Sequence, residues 1–167
     1  SPGVDPAQPA IRAARAGGAL LLGDIELFWR EARAPIVAIT GTNAKSTVTT
    51  LVWLMAQQAG LRVACGGNLG TPALDLLAPG VALYVLELSS FQLHDTPTVA
   101  PAIGVLTNLA PDHLDRYRTL EEYYADKLRL FANATDSSVR VVNADDPEVM
   151  RRTAAVPGQP KRFSLVD

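Results

Sequence analysis

The chain has 167 residues, 48% of them hydrophobic and 19% charged, with a formal net charge of −2 and one cysteine, Cys65. That length holds one domain with room for a core, or one domain and a fragment of another; the balance suits a soluble α/β protein and lacks the basic run of a nucleic-acid or membrane surface. A single cysteine excludes a disulfide framework, no apolar segment is long enough to span a bilayer, and no signal-peptide pattern opens the chain, so a cytoplasmic location is expected.

Short apolar runs alternate with amphipathic stretches, which predicts an α/β fold: a mostly parallel sheet with helices on both faces. Residues 10–16 read as a helix ended by Gly17-Gly18, residues 19–22 as a strand, and residues 25–34 as a short helix or connector before Pro35. A strand is predicted at 36–40 and a helix over 45–59, closed by Gly60. A strand at 62–65, the loop Gly66-Gly67-Asn68 and a helix near 72–77 follow. Residues 81–88, VALYVLEL, are apolar on both faces, as a central parallel strand should be. Strand 102–107 opens into a loop at 108–118, and Thr119 with Glu122 forms a capping box for a helix over 120–133. Strand 139–142, the turn Asn143-Ala144-Asp145-Asp146, a helix over 147–155 and a strand at 163–166 complete the chain. The first 34 residues are rich in Ala, Pro and Gly and precede the first firm βα unit. The expected organisation is therefore the tail of one domain over 1–34 and a central domain over 35–167.

Residues 36–50, IVAITGTNAKSTVTT, carry the clearest chemistry. A β-branched strand feeds the turn Gly41-Thr42-Asn43-Ala44, and Lys45-Ser46-Thr47 opens a helix. This is the layout of a phosphate-binding loop: backbone N–H groups and a helix N-terminus face an anion, a lysine neutralises phosphate oxygens, and a hydroxyl holds Mg²⁺. Ala44 stands where a glycine is expected, and its methyl would strain any positive φ or crowd the phosphates.

Glu87 ends an otherwise apolar strand, at the sheet edge where α/β proteins gather ligands. It is either a metal ligand or a side chain that emerges into solvent as the strand stops. His113 lies in the loop after the next strand, between Asp112 and Asp115, and suits a metal or phosphate site as well as it suits a plain surface. His94, beside Asp95, is expected to be exposed. Lys127 interrupts the stripe Leu120, Tyr124, Phe131 on the 120–133 helix. Either its stem is buried and its ammonium reaches water, or burial favours the neutral amine, which can react with CO₂ to give a carbamate.

GTNAKST (41–47), GGN (66–68), ELSSFQL (87–93), DHLDRY (112–117), ADKLR (125–129) and NADD (143–146) occur together and in this order. The set resembles the central, P-loop NTPase-like ATPase domain of the Mur ligases. ELSSFQL and the lead-in GDIELFWREARAPIVAITGT are most similar to the family member that adds glutamate to UDP-N-acetylmuramoyl-L-alanine in peptidoglycan precursor synthesis. The resemblance implies an ATP-dependent, ADP-forming amide ligase working through an acyl phosphate. It implies that residues Gly41, Thr42, Asn43, Ala44, Lys45, Ser46 and Thr47 cradle ATP, with Lys45 on its phosphates. Ser46 and Glu87 would bind one Mg²⁺; His113 and carbamylated Lys127, with Glu87, would bind a second. Asn68, Ser89 and His113 would face the nucleotide-sugar, and Lys45, His113 and Lys127 would be the catalytic set. The expected partners are UDP-N-acetylmuramoyl-L-alanine and glutamate, with no nucleic acid, no membrane and a monomeric state.

Two departures temper the resemblance. Ala44 replaces the family's glycine. The chain also matches only the end of an N-terminal UDP-binding domain, and is expected to stop before the end of the central domain and to lack the C-terminal one, so that alone it would not complete a ligation. The alternatives are a nucleotide- and metal-binding module without turnover, or a folylpolyglutamate synthase-like ligase.

Overall fold

The structure is a computed structural model that describes residues 4, 8–113 and 116–166. Its centre is strand β1 (Ile36–Thr40), whose five residues are all buried. A run with four β-branched side chains in five residues, apolar toward both faces, suits a strand covered on both sides. β1 pairs in parallel with β3 (Leu83–Glu87) and with β4 (Ile103–Leu106), in registers that set Ile39 beside Glu87 and Thr40 beside Leu106. β2 (Val63–Gly67), β5 (Val139–Asn143) and β6 (Gln159–Phe163) complete a six-stranded parallel sheet in the order β2-β3-β1-β4-β5-β6.

Because side chains alternate across a strand, the sheet builds two cores. Val37, Ile39, Val85 and Val105 pack on one face against Val48 and Val52 of helix α3 (Lys45–Gln58). Ile36, Ala38, Tyr84, Leu86, Leu106 and Val142 point to the other face. There they meet Ile25 and Phe28 of α2 (Asp24–Glu31), Leu93 of α4 (Ser90–His94), and Tyr123 and Tyr124 of α5 (Leu120–Leu128). Helices thus cover both faces, as expected. From β1 the chain runs to β2 and β3 on one side, then crosses to β4 on the other. The carboxyl ends of β1, β3 and β4 therefore flank a switch in strand order, the place where such sheets bind ligands.

Helix α2 is packed into the second core. Its Glu26 is fully buried and accepts from Thr98 N (3.1 Å), Thr98 Oγ1 (2.8 Å) and Arg30 Nε (2.9 Å). Burial alone would raise its carboxyl pKa, but these donors hold it below the usual value. By contrast α1 (Pro9–Ala16) buries no residue. Asp146 caps α6 (Pro147–Thr153), accepting from Glu148 N and Val149 N.

Several elements differ from the sequence reading. Residues 19–22 form no strand. The helix near 72–77 is a single 3₁₀ turn, Ala73–Leu76, and the one over 120–133 ends as α-helix at Leu128 and continues as 3₁₀ through Arg129–Phe131. The last strand is Gln159–Phe163 rather than 163–166. It is exposed throughout, so no apolar alternation marks it, and its Pro160 is tolerable on an edge. Helix α4 was not foreseen, although Ser89 and Gln92 form a reciprocal capping box at its start.

Candidate nucleotide-binding site

β1 delivers the chain at Gly41, whose φ of 150° and close approach to Thr107 exclude a side chain. Lys45 Nζ donates to Thr42 O at 2.9 Å. Ala44, the N-cap of α3, has φ 63° and ψ 6°, the left-handed conformation that an L-residue adopts only at a cost. Its methyl is exposed, so the departure from glycine acts through backbone strain and not through crowding within the protein.

The loop rests on the segment after β4. Thr107 Oγ1 donates to Asn43 O at 2.8 Å, and Asn108 Nδ2 donates to the same oxygen at 3.1 Å. Asn43 N donates to Asn108 Oδ1 at 2.9 Å, and Thr42 N to Asn108 O at 3.1 Å. Thr42 Oγ1 donates to Ala110 O at 3.1 Å and accepts from Ala110 N at 3.0 Å. Leu109 N donates to Asp146 Oδ2 at 2.8 Å, which ties the same segment to the NADD turn.

Glu87 ends β3 with only 2% of its surface exposed, so it does not emerge into solvent. Ser46 Oγ donates to one carboxylate oxygen at 2.6 Å and Asn68 Nδ2 to the other at 2.7 Å. The sheet thus joins Ser46, Asn68 and Glu87, three residues singled out from sequence. A hydroxyl and a carboxylate are hard oxygen donors of the kind Mg²⁺ prefers. Among the described residues, no group of three His, Cys, Asp or Glu converges as a ready metal centre.

Lys127 does not reach water. It is 1% exposed, its Nζ donates to Gly41 O at 2.7 Å, and it sits 4.6 Å from the centroid of the Tyr123 ring. Burial, reinforced by the Lys45 charge, pulls its pKa down to about 7, while Asp112 and Glu87 act in the opposite direction. Tyr123 Oη lies 3.3 Å from Thr42 Oγ1, so α5 contacts the loop after β1 through two side chains.

His113 has φ 54° and is exposed; its Nε2 is 3.6 Å from Asp112 Oδ2. Its ring packs 5.0 Å from Phe91 and 5.9 Å from Tyr123. Asp115, the other flanking carboxylate, lies outside the described residues. The Ser89 hydroxyl is engaged in capping α4, exchanging hydrogen bonds with Gln92. His94 is not free in solvent, as expected from sequence, but half-buried, with Nδ1 2.9 Å from Asp126 Oδ2. That carboxylate also accepts from Tyr117 Oη (3.0 Å) and Arg129 Nε (3.1 Å). Thr107, Asn108 and Asp126 were overlooked from sequence; for the first two, their place just beyond a strand that ends at the ligand edge was the available signal.

The family model of the Mur ligase middle domain matches residues 39–165. The chain is 54% identical over 160 residues to the UDP-N-acetylmuramoylalanine–D-glutamate ligase of Pseudomonas putida, which covers 96% of this chain and 34% of that protein. It therefore spans about a third of the length of the curated relatives it matches. Among solved structures, a UDP-N-acetylmuramoyl-L-alanyl-D-glutamate–2,6-diaminopimelate ligase aligns with a TM-score of 0.62 at 27% identity, over 93% of this chain and 35% of that one. A bifunctional folylpolyglutamate synthase/dihydrofolate synthase with Mn, AMPPNP and L-glutamate bound aligns with a TM-score of 0.57 at 17% identity, over 95% of this chain and 52% of that one, a likeness of fold alone.

Proposed function

Because the chain belongs to the Mur ligase family through its middle domain, we propose that it is the ATP-binding part of a ligase that joins D-glutamate to UDP-N-acetylmuramoyl-L-alanine. The observation that carries this reading is the 54% identity to a ligase of that name, over residues that include the assembled Ser46–Glu87–Asn68 cluster. The same identity favours it over a folylpolyglutamate synthase-like activity, where the likeness is 17%.

In the proposed reaction a carboxylate oxygen of UDP-N-acetylmuramoyl-L-alanine attacks the γ-phosphorus of ATP, and ADP leaves. The amine of glutamate then attacks the acyl carbon of the acyl phosphate, inorganic phosphate leaves, and a proton is released. Both steps depend on placing reactants and neutralising oxyanions. The amides that open α3 and the Lys45 ammonium would bind the phosphates; Lys45 needs only to leave the Thr42 carbonyl it contacts at 2.9 Å. Mg²⁺, when bound, would neutralise phosphate charge, held by Ser46 and Glu87, with His113 and Lys127 completing the set for a second ion. Asn68, Ser89 and His113 would face the nucleotide-sugar.

Lys127 takes part in this reading as a carbamate. Its amine would add to CO₂ and release a proton, replacing a cation by a carboxylate-like pair of oxygens. The step needs the neutral amine, and a pKa pulled down to about 7 makes that form abundant at neutral pH. Residues 1–34 would be the end of a UDP-binding domain and its linker, with α2 docked on the central domain of residues 35–167. The complete protein would act as a monomer, in the cytoplasm.

The test is turnover by the complete protein that carries this chain. ADP and phosphate should form in step with amide product only when UDP-N-acetylmuramoyl-L-alanine and D-glutamate are both present. Turnover with a folate acceptor instead, or MgATP binding without turnover, would replace this reading with one of its alternatives.

A further inference from the structure

We propose that Asn108, seconded by Thr107, is the positioning residue of the phosphate loop: it turns the peptide between Asn43 and Ala44 so that the amides of Ala44 through Thr47, and not those of Thr42 and Asn43, meet the phosphates. The inference rests on the reading of residues 41–47 as a nucleotide loop.

The Asn108 side chain meets both backbone groups of Asn43. Its oxygen accepts from Asn43 N at 2.9 Å, its amide nitrogen donates to Asn43 O at 3.1 Å, and its own carbonyl accepts from Thr42 N at 3.1 Å. The amides of Thr42 and Asn43 are thereby engaged within the protein and cannot also serve an anion. Thr107 Oγ1 adds a second donor to Asn43 O at 2.8 Å. Two donors from the segment after β4 hold that carbonyl toward them. In a trans peptide the C=O and the following N–H point in opposite directions, and no described peptide is cis. The Ala44 N–H therefore faces away from β4. The amides of Lys45, Ser46 and Thr47 follow it in the first turn of α3, where they have no intrahelical acceptor. The outcome is a row of four donors at the positive end of a 14-residue helix, with a lysine and a serine among them.

The clamp also accounts for Ala44. A left-handed alanine persists only where its surroundings over-determine it. Here the carbonyl of the preceding peptide accepts two hydrogen bonds, the amide before it donates a third, and the following residue is fixed in α3. Only a primary amide can meet the requirement at position 108, because it must donate and accept at once. Aspartate would set oxygen against the Asn43 carbonyl and add charge beside an anion site.

The experiment is calorimetric titration of the complete protein with MgADP, paired with melting curves, for wild type, Asn108→Leu, Thr107→Val and the double variant. Asn108→Leu should weaken MgADP binding about tenfold or more, with an affinity for UDP-N-acetylmuramoyl-L-alanine changed less than about twofold. Thr107→Val should weaken MgADP less, since Asn108 still donates to the same carbonyl, and the double variant should lose more than the product of the singles. Should Asn108→Leu fail to fold, Asn108→Ser, which is neutral and too short to meet both backbone groups of Asn43, should show the same selective loss. Unchanged MgADP affinity in Asn108→Leu, or equal losses for both ligands together with a fallen melting temperature, would overturn the proposal. If the wild type binds MgADP but does not ligate, the functional reading fails while this inference is still decided; if it binds no MgADP, both fail.

Discussion

Lys127 Nζ donates to the carbonyl of Gly41 at 2.7 Å, joining the buried face of α5 to the first residue of the proposed phosphate loop. Two cationic side chains, Lys45 and Lys127, thus bond consecutive carbonyls of one turn, those of Thr42 and Gly41. Burial first, and the Lys45 charge second, disfavour the charged form of Lys127.

A consequence is a stability that depends on pH. The folded Lys127 has a pKa near 7 against an ordinary 10.5. Between those values the unfolded chain holds a proton that the folded chain does not, so stability rises with pH above 7. Lys127→Met should remove that slope and stabilise the unliganded fold near pH 7 by roughly 1–3 kcal/mol, as replacing a desolvated charge by an apolar isostere does. Urea unfolding of both forms between pH 6 and 8.5 measures the difference. The upper bound avoids Cys65, whose thiol burial pushes above its usual value. A wild-type slope equal to that of the variant would show that Lys127 is not the group responsible.

His94 acts in the opposite sense. Its hydrogen bond to Asp126 raises its pKa, helped by the charges of Asp126 and Asp95 and opposed by burial and Arg129. The stability it contributes is complete below its ordinary value of 6.5 and is lost as pH rises through the raised value. The gap between wild type and His94→Gln should therefore be widest near pH 5.5 and shrink toward pH 8. With the side chain 38% exposed, solvent screening keeps the gap under about 1 kcal/mol. A gap that grows with pH would contradict the assignment.

Ala44→Gly should stabilise the chain and tighten MgATP binding. Glycine adopts a φ of 63° without the Cβ penalty, and the gain, less the entropy of a freer unfolded chain, is about 0.5–2 kcal/mol. Calorimetry and melting curves on the two forms check it; an alanine form that melts at the same or a higher temperature would show that the loop is not strained at this residue.

Glu87→Gln should cost more MgATP affinity than apo stability. The amide can still accept from Ser46 or Asn68, but it lacks the charge a divalent ion needs. Melting curves with and without MgATP separate the two. A large apo loss with the MgATP increment intact would make Glu87 a structural residue.

The parts of this molecule legible in the sequence are those whose pattern is local. β1 and β3 are apolar on both faces because both faces are covered, and the phosphate loop is one contiguous word. Glu87 was noticed because charge is costly in such a strand. β6 escaped because an exposed edge imposes no pattern, and α4 because five residues are too few to show a period. Lys127 was visible as a break in a stripe, but whether its ammonium reached water depended on Gly41, 86 residues away. Asn108 and Asn43 are 65 residues apart, and nothing near either announces the pairing. Only the parallel register of β1 and β4 creates it.

The proposed acyl phosphate is tested most directly by isotope transfer. UDP-N-acetylmuramoyl-L-alanine labelled with ¹⁸O in its carboxylate, incubated with the complete protein, MgATP and D-glutamate, should pass one ¹⁸O atom to each inorganic phosphate released, read by mass spectrometry. Phosphate that forms in step with amide product yet carries no ¹⁸O would contradict it.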